Sequence, residues 1–314
     1  MHETNEKVNT MTAEAKKWPN LYFIGGMRCG STTLFLLLSQ HPEIFMASIK
    51  EPMFWLAENL RRLGKDYKSV VTGKYVTTDA YLGLFETPKS SQWRGEASHY
   101  LYHPDVVGVL RQEVPDAHII VSLRNPTDRL FSEYLIWVRS WGFEGTFTDF
   151  ISANGLKWSK SFRISEVPPV SRVRKGLQAE SLKIWVDTFG WDRLHFVFFD
   201  DLEKKPTHVA QGIYSWLEVD NEFVPQVVHT QKGGQPRSKI LMRLMNMPKG
   251  QIKRFFPRIL REKIRSRVYK AILKQPKIDP EIQAMLDEYY ASDIQLLSEM
   301  TGRDLSHWLK RDAA

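Results

Sequence analysis

LYFIGGMRCGSTTLFLLLSQHPEIFMASIKEPMFW, residues 21–55, opens as a buried strand and becomes a helix through a glycine loop. Leu21 to Ile24 is a short apolar run that Gly25 and Gly26 interrupt, and Thr32 to Leu38 has the apolar face of a helix. A strand–loop–helix turn aims backbone N–H groups and the positive end of a helix at one spot, which suits a bound phosphate. Arg28 and the hydroxyls of Ser31, Thr32 and Thr33 crowd that spot. Gly25 and Gly30 have Walker A spacing, but Ser31 and Thr32 follow where that motif has Lys and then Ser or Thr. The cation sits inside the loop instead, at Arg28. A turn without ligand would need the glycines but not the cation and three hydroxyls.

Beyond the loop, His41-Pro42 ends the first helix, because a residue before proline disfavours helix. Short strands are expected at Glu43–Ala47 and Trp93–Ala97, with loop and short helices over 59–91. Pro104 to Glu113 is expected to be helical. HIIVSL at 118–123 is the clearest buried strand, and Asn125 can cap a helix that starts at Pro126 and runs to about Arg139. Residues 140–175 look irregular. Gly176 to Phe189 is an amphipathic helix, Leu194 to Phe199 a third apolar strand closed by Asp200-Asp201, and helices follow from Pro206 and from Asp279-Pro280 to Gly302. Strands alternating with helices give an α/β fold, P-loop-like and three-layered, with a central mostly parallel sheet flanked by helices. Residues 1–17 are expected to be a disordered polar tail and 18–314 a single domain.

Composition limits the function classes. No apolar stretch of the chain approaches the roughly 20 residues of a membrane span. The N-terminus lacks the apolar core of a signal peptide. One cysteine, Cys29, leaves no intramolecular disulfide and no multi-cysteine zinc site. These features favour a reducing cytoplasm. The net charge of +8 is localised: Lys232 to Lys277 holds fifteen Lys and Arg against Glu262, so the rest of the chain is net negative. Within it, Ile252, Phe255, Phe256, Ile259, Leu260, Ile264, Val268 and Ile272 fall at helical spacing over 251–274. Such a helix either packs its apolar side and solvates its charges, or meets an anionic polysaccharide or an anionic membrane surface at the periphery. No nucleic-acid partner is expected.

A second phosphate site follows strand 118–123. RNPTDRLFSEY puts Arg124 at the carboxyl end of that strand and Ser132 two turns into the next helix. Ligands of such sheets bind beyond the carboxyl ends of the strands, so Arg124 shares an edge with the glycine loop. An arginine fork plus a hydroxyl holds phosphate without a metal. An ion pair of Arg124 with Asp128 is the plainer alternative. No cluster of Asp, Glu or His has metal-ligand spacing.

IGGMRCGSTT at 24–33, KEPMFW at 50–55 and LRNPTDRLFSEY at 123–134 together resemble the sulfotransferases that use 3′-phosphoadenosine 5′-phosphosulfate (PAPS), in the branch holding bacterial carbohydrate and heparan sulfate enzymes. GEASHYLYHPDVV, LHFVFFDDL, DPEIQAMLDEYYASDI and GRDLSHWL also resemble that branch, so the likeness covers about residues 20–310. It implies a sulfuryl transfer from PAPS, without metal, to a hydroxyl or amine of a carbohydrate, lipid headgroup or small molecule. It implies that Gly26, Arg28, Cys29, Gly30, Ser31, Thr32 and Thr33 hold the 5′-phosphosulfate, with Arg28 at the bridging oxygen. Arg124 and Ser132 match the pair on the 3′-phosphate. Glu51 matches the catalytic base, and its apolar neighbours are expected to raise its pKa while Pro52 holds an extended backbone. Lys50 could instead make Glu51 a surface ion-pair partner. Lys232-Gly233 resembles a late loop over the 3′-phosphate. Three positions depart from the pattern: His99 stands in a shortened segment, Ala97 replaces a lysine, and Gln178 replaces a tyrosine.

Two other classes stay open on residues alone, a P-loop kinase or nucleotide triphosphatase and a non-catalytic polyanion- or membrane-binding protein. Cys29 looks like a small loop residue. His99 and His103 are candidates to assist an acceptor. Trp55, Trp137, Trp141 and Trp158 could stack on a sugar or adenine, or pack in the core.

Overall fold

The computed structural model describes residues 18–68, 73–86, 91–153, 171–227, 235–236, 273–274 and 277–309. The tail 1–17, Trp158 and the Lys232-Gly233 pair lie outside these residues. The basic helix expected over 251–274 also lies outside them, except for Leu273–Lys274, which are strand.

Five strands carry the molecule: β1 (Leu21–Phe23), β2 (Ile44–Met46), β3 (Trp93–Ala97), β4 (His118–Leu123) and β5 (Leu194–Phe198). They lie in the order β2-β3-β1-β4-β5, and every pairing is parallel. Leu21 is in register with Gly95 on one side and His118 on the other. Because side chains alternate along a strand, each central strand feeds both faces. Tyr22, Ile119 and Val121 enter one core, while Leu21, Phe23 and Ile120 enter the other. This two-sided burial is why the strands read as unbroken apolar runs.

The second core is closed by α1 (Ser31–Leu38) and α9 (Pro206–Trp216), through Leu34, Leu37, Ile213 and Tyr214. The first is larger. It takes α2 (Phe54–Arg62), α3 (Thr78–Leu82), α4 (Pro104–Glu113), α5 (Pro126–Ser140), α6 (Phe147–Ala153), α7 (Gln178–Phe189) and α10 (Pro280–Thr301). Between β5 and α9 runs the short α8 (Phe199–Lys204). A separate antiparallel pair joins β6 (Gln235–Pro236) to β7 (Leu273–Lys274).

Local chemistry sets several boundaries. Asn125 caps α5 by accepting from the Asp128 N–H, with Pro126 at the first position, and Asp279 caps α10 ahead of Pro280. Two expectations need correction. Residues 147–153, read as irregular, form α6, where Thr146 and Asp149 exchange hydrogen bonds as a capping pair. Asp200-Asp201 do not simply close β5 but open α8, where acidic residues complement the positive end of a helix.

β1 is the central strand. The chain leaves it toward β2 and β3 on one side and later crosses to β4 and β5 on the other. The loops after β1, β3 and β4 therefore meet at one carboxyl edge, where the strand order reverses.

Candidate active site

Residues 24–30 form the floor of that edge. A Cβ on Gly25 would lie 1.9 Å from Ser122 Oγ and 2.8 Å from the Ser122 nitrogen, so only glycine lets the end of β1 lie against β4. Arg28 adopts φ 73° and Gly30 φ 85°, which bends the loop into the start of α1. The arginine is the costlier of the two, since a side chain rarely occupies the left-handed region. No side chain caps α1, and its first turn contains no acid. That end of the helix therefore offers N–H groups and positive dipole to an anion.

The two sites expected from the sequence are one. Arg28 Nε donates to Ser132 Oγ at 3.0 Å, and Arg124 Nη1 donates to the Arg28 carbonyl at 2.8 Å. Among the described residues no ion pair joins Arg124 to Asp128, although the Asp128 charge acts on Arg124. Its guanidinium lies over the Phe199 ring, 4.0 Å from the centroid, and its Nε is buried with no hydrogen-bond partner among the described residues. Burial lowers the proton affinity of both arginines, and Arg124 adds to the effect on Arg28. Two arginines tied to one loop favour an anion beside them.

Gln178 fixes Arg124 from behind. Its Oε1 accepts from the Arg124 N–H at 3.2 Å, and its Nε2 donates to the Arg124 carbonyl at 2.7 Å. Asp293 of α10 in turn accepts from the Gln178 and Ala179 N–H groups at 2.7 and 3.1 Å, capping α7. Burial pushes the Asp293 carboxyl up to about 6, against the pull of those N–H donors.

Lys50, read from the sequence only as a partner of Glu51, also reaches the loop. Its Nζ lies 3.1 Å from both Ser31 Oγ and Thr32 Oγ1. A second cation thus reaches the loop from the segment after β2, at the point where Walker A supplies its lysine from within the motif. Only a tertiary contact across 19 residues reveals this. Cys29 is fully buried, and desolvation pushes its thiol up to about 11, so it offers the site its backbone and not a thiolate.

Glu51 corrects two expectations. Its backbone is left-handed, φ 60°, not extended, and its N–H donates to the Ala97 carbonyl at 2.8 Å. Its carboxyl is not raised. It is held down to about 2 by the His99 hydrogen bond, against the opposing effect of partial burial, with Lys50 adding to the lowering. The side chain is 44% exposed, with His99 Nε2 at 3.0 Å and Lys50 Nζ at 3.5 Å from Oε1. The ion pair with Lys50 therefore exists alongside the exposed site position. His99 Nδ1 lies 3.2 Å from the Gly25 carbonyl. Each ring nitrogen of His99 thus faces an oxygen of the site, the Gly25 carbonyl on one side and the Glu51 carboxylate on the other. The segment after β3 thereby ties the candidate base to the floor of the loop.

Glu96, at the same edge but beneath it, is fully buried against Tyr81, and burial pushes its carboxyl up to about 7. Trp55 is likewise in the core. His103 is half-buried, and desolvation, with Lys175 and His99 nearby, pushes it down to about 4.

Among the described residues no group of acids, histidines and cysteine could hold a metal ion, and no helix is long and apolar enough to cross a membrane.

Known proteins resemble this chain in sequence and in fold. Human carbohydrate sulfotransferase 15 is 29% identical, over 64% of this chain and 44% of that protein. The bifunctional heparan sulfate N-deacetylase/N-sulfotransferase 1 of Caenorhabditis briggsae is 23% identical, over 67% of this chain and 24% of its own. The chain thus matches less than half the length of these curated relatives. A solved sulfotransferase from Alicyclobacillus acidocaldarius has the same fold, with a TM-score of 0.66 and 23% identity over 93% of this chain and 99% of that one. The model of the sulfotransferase family matches residues 19–223, which hold the glycine loop, the Glu51–His99 pair, Arg124 and Ser132. The chain belongs to the sulfotransferase family.

Proposed function

We propose that the protein moves the sulfuryl group of PAPS to a hydroxyl or amine of a carbohydrate acceptor. The observation that carries this is the pairing of Arg124 and Ser132 with the glycine loop through Arg28, which builds two adjacent anion sites at one sheet edge. The residues fit PAPS. Arg124 Nε, buried and unbonded among the described residues, is a donor suited to an acceptor such as the 3′-phosphate, and the uncapped start of α1 suits the 5′ end. Residues 18–314 are read as one domain, because α10 reaches back to cap α7 behind Arg124. Lys232-Gly233 is retained as a candidate cover over the 3′-phosphate.

PAPS supplies an activated sulfuryl group that leaves its 5′-phosphate as an acceptor oxygen or nitrogen attacks. By analogy with phosphoryl transfer, the protein contributes positioning and charge stabilisation. Arg28, Lys50, the Ser31 and Thr32 hydroxyls and the loop amides stabilise charge gathering on the leaving phosphate. Glu51 takes the acceptor proton. Its low proton affinity makes it a weak base while His99 and Lys50 hold it, and the same two contacts orient the carboxylate. The relatives named for carbohydrate and heparan sulfate transfer support a sugar acceptor. An anionic surface for the basic segment 232–277 belongs to the same reading.

The test is transfer of labelled sulfate from PAPS to a panel of oligosaccharides, with products identified by mass. Sulfated sugar is expected, together with retention on immobilised adenosine 3′,5′-bisphosphate (PAP) and not on ATP. Retention on ATP alone would overturn the reading in favour of a nucleotide kinase.

A further inference from the structure

The segment that carries Glu51 is strained and is clasped from one side. Glu51 and Met53 both hold left-handed backbone, φ 60° and 54°, on either side of Pro52. Neither is glycine, so this shape is costly and persists only where its surroundings impose it. Three alternate N–H groups of the segment are bound by the chain that ends β3 and follows it. The Glu51 N–H donates to the Ala97 carbonyl at 2.8 Å, the Met53 N–H to Ser98 Oγ at 3.3 Å, and the Trp55 N–H to the Tyr100 hydroxyl at 3.2 Å.

Glu96 heads that stretch and takes no part in the chemistry proposed for the site. Its Oε2 accepts from the Tyr81 hydroxyl, and the Tyr81 ring lies flat on Phe54, with 4.2 Å between centroids and 9° between planes. The same ring meets Trp55 edge-on at 6.1 Å. Glu96, Tyr81, Phe54, Trp55 and Tyr100 are all fully buried. Burial pushes the Glu96 carboxyl up to about 7 against the pull of the Tyr81, Tyr100 and Ser98 hydroxyls, and its Oε1 has no hydrogen-bond partner among the described residues. A leucine would fill this space without an unpaired oxygen, and an unpaired buried oxygen costs stability. Packing alone therefore does not account for a carboxyl here. Its contacts do, because they end on the residues that hold the turn at Glu51.

We propose that Glu96 is a positioning residue for the transfer: through Tyr81 and Phe54 it holds the left-handed turn at 51–53, and so keeps the Glu51 carboxylate at the sheet edge. This rests on Glu51 as the base and adds what keeps that base in place. Being fully buried, Glu96 acts only through these neighbours.

The experiment combines sulfate-transfer kinetics with amide hydrogen exchange. Tyr81→Phe removes one hydroxyl and keeps the stacked ring, and Glu96→Leu removes the anchor itself. Both should lower kcat by about 10- to 100-fold, the cost of a displaced catalytic group, with the KM for PAPS and the affinity for PAP near wild type. Glu96→Gln, which can still accept from Tyr81, should recover most of that loss. In a Glu51→Gln background neither variant should lower kcat further, because the group they position is gone. Exchange across residues 51–57 should quicken by about tenfold or more in Tyr81→Phe, while residues 124–132 keep their protection. Ile213→Ala, a cavity in the core on the other face of the sheet, should change neither kcat nor that exchange. A full further loss of kcat in the Glu51→Gln background would overturn the proposal, as would unchanged exchange over 51–57 in Tyr81→Phe. Wild type that does not turn over PAPS would strike the PAPS reading instead, and the exchange measurement would still decide whether Glu96 holds the segment.

Discussion

Replacing Arg124 by alanine should remove recognition of the 3′-phosphate while sparing the 5′ end. In the structure Arg124 makes a hydrogen bond to the Arg28 carbonyl and a cation–π contact with Phe199, and leaves Nε buried and without a partner among the described residues. The first two interactions exist with or without ligand, so losing them costs stability and not affinity. The Nε bond forms only on binding. Its donor has already been stripped of water, so little further desolvation opposes it, and a hydrogen bond to a charged partner contributes about 1.5–3 kcal/mol. Taking 2–3 kcal/mol, the preference for PAP over adenosine 5′-phosphate should fall by roughly 30- to 150-fold. Titration calorimetry of both nucleotides against wild type and variant gives the ratio directly, and near-ultraviolet circular dichroism checks that the variant is folded. Because adenosine 5′-phosphate lacks the 3′ group, its own affinity should change by less than about threefold. A folded variant with an unchanged ratio would refute the assignment of Arg124 to the 3′-phosphate.

The other expectations concern the base and the buried charges. Glu51→Gln should lower kcat by about 10²–10⁴-fold in sulfate transfer, the usual worth of a general base, with PAP affinity near wild type; retained turnover would move the role to His99. Because His99 holds the Glu51 carboxyl down to about 2, His99→Ala should let it rise toward the ordinary carboxylate range, so the acid limb of the pH–rate profile should move to higher pH; a limb that does not move would separate the two residues. Glu96 works in the opposite sense: a carboxyl pushed up to about 7 in the folded protein holds a proton that the unfolded chain has already lost, so stability should fall as pH rises from the ordinary carboxylate range through 7. In chemical denaturation at a series of pH values, Glu96→Gln should flatten that slope, and an unchanged slope would exonerate Glu96. Glu133→Gln leaves Arg129 and Arg172 facing each other without their shared carboxylate, and should cost about 3–5 kcal/mol in unfolding free energy, whereas a loss under 1 kcal/mol would mean that the pair is hydrated.

What could be read in the sequence was what short-range chemistry controls. Asn125-Pro126 fixed the start of α5, Asp279-Pro280 the start of α10, and the apolar alternation of HIIVSL the strand that ends at Arg124. The capping pair Thr146 and Asp149, followed by Phe147, Phe150 and Ile151, was an equally local signal for α6, and the glycines around it obscured it. Of the candidate site, the loop, Arg124 and Glu51 could be picked out in the sequence and lie at one sheet edge in the structure. Its electrostatics were not, because they depend on groups brought from elsewhere. Lys50 reaches Ser31 only once β2 lies two strands from β1, and His99 meets Glu51 only because β3 is inserted between them. The low proton affinity of Glu51 is a property of that meeting, and no local feature of KEPMFW announces it.

The last helix also sets an order of events during synthesis. Asp293 caps α7 and so holds Gln178, Thr127 of α5 donates to Asp287 at 2.7 Å, and Asn125 donates to the Trp308 carbonyl at 2.7 Å, across 183 residues of chain. Each clasp lies within a few residues of Arg124. A ribosome that has delivered the glycine loop and β4 has therefore delivered an arginine without its brace. The nascent chain can close its sheet early, through β1, β3 and β4, but the 3′ side of the site becomes rigid only when residues 280–308 have emerged and docked. Contacts that span so much chain form late. Competence to bind nucleotide should thus appear only once α10 has docked, and a chain stopped short of α10 would keep its strands while leaving Arg124 loose.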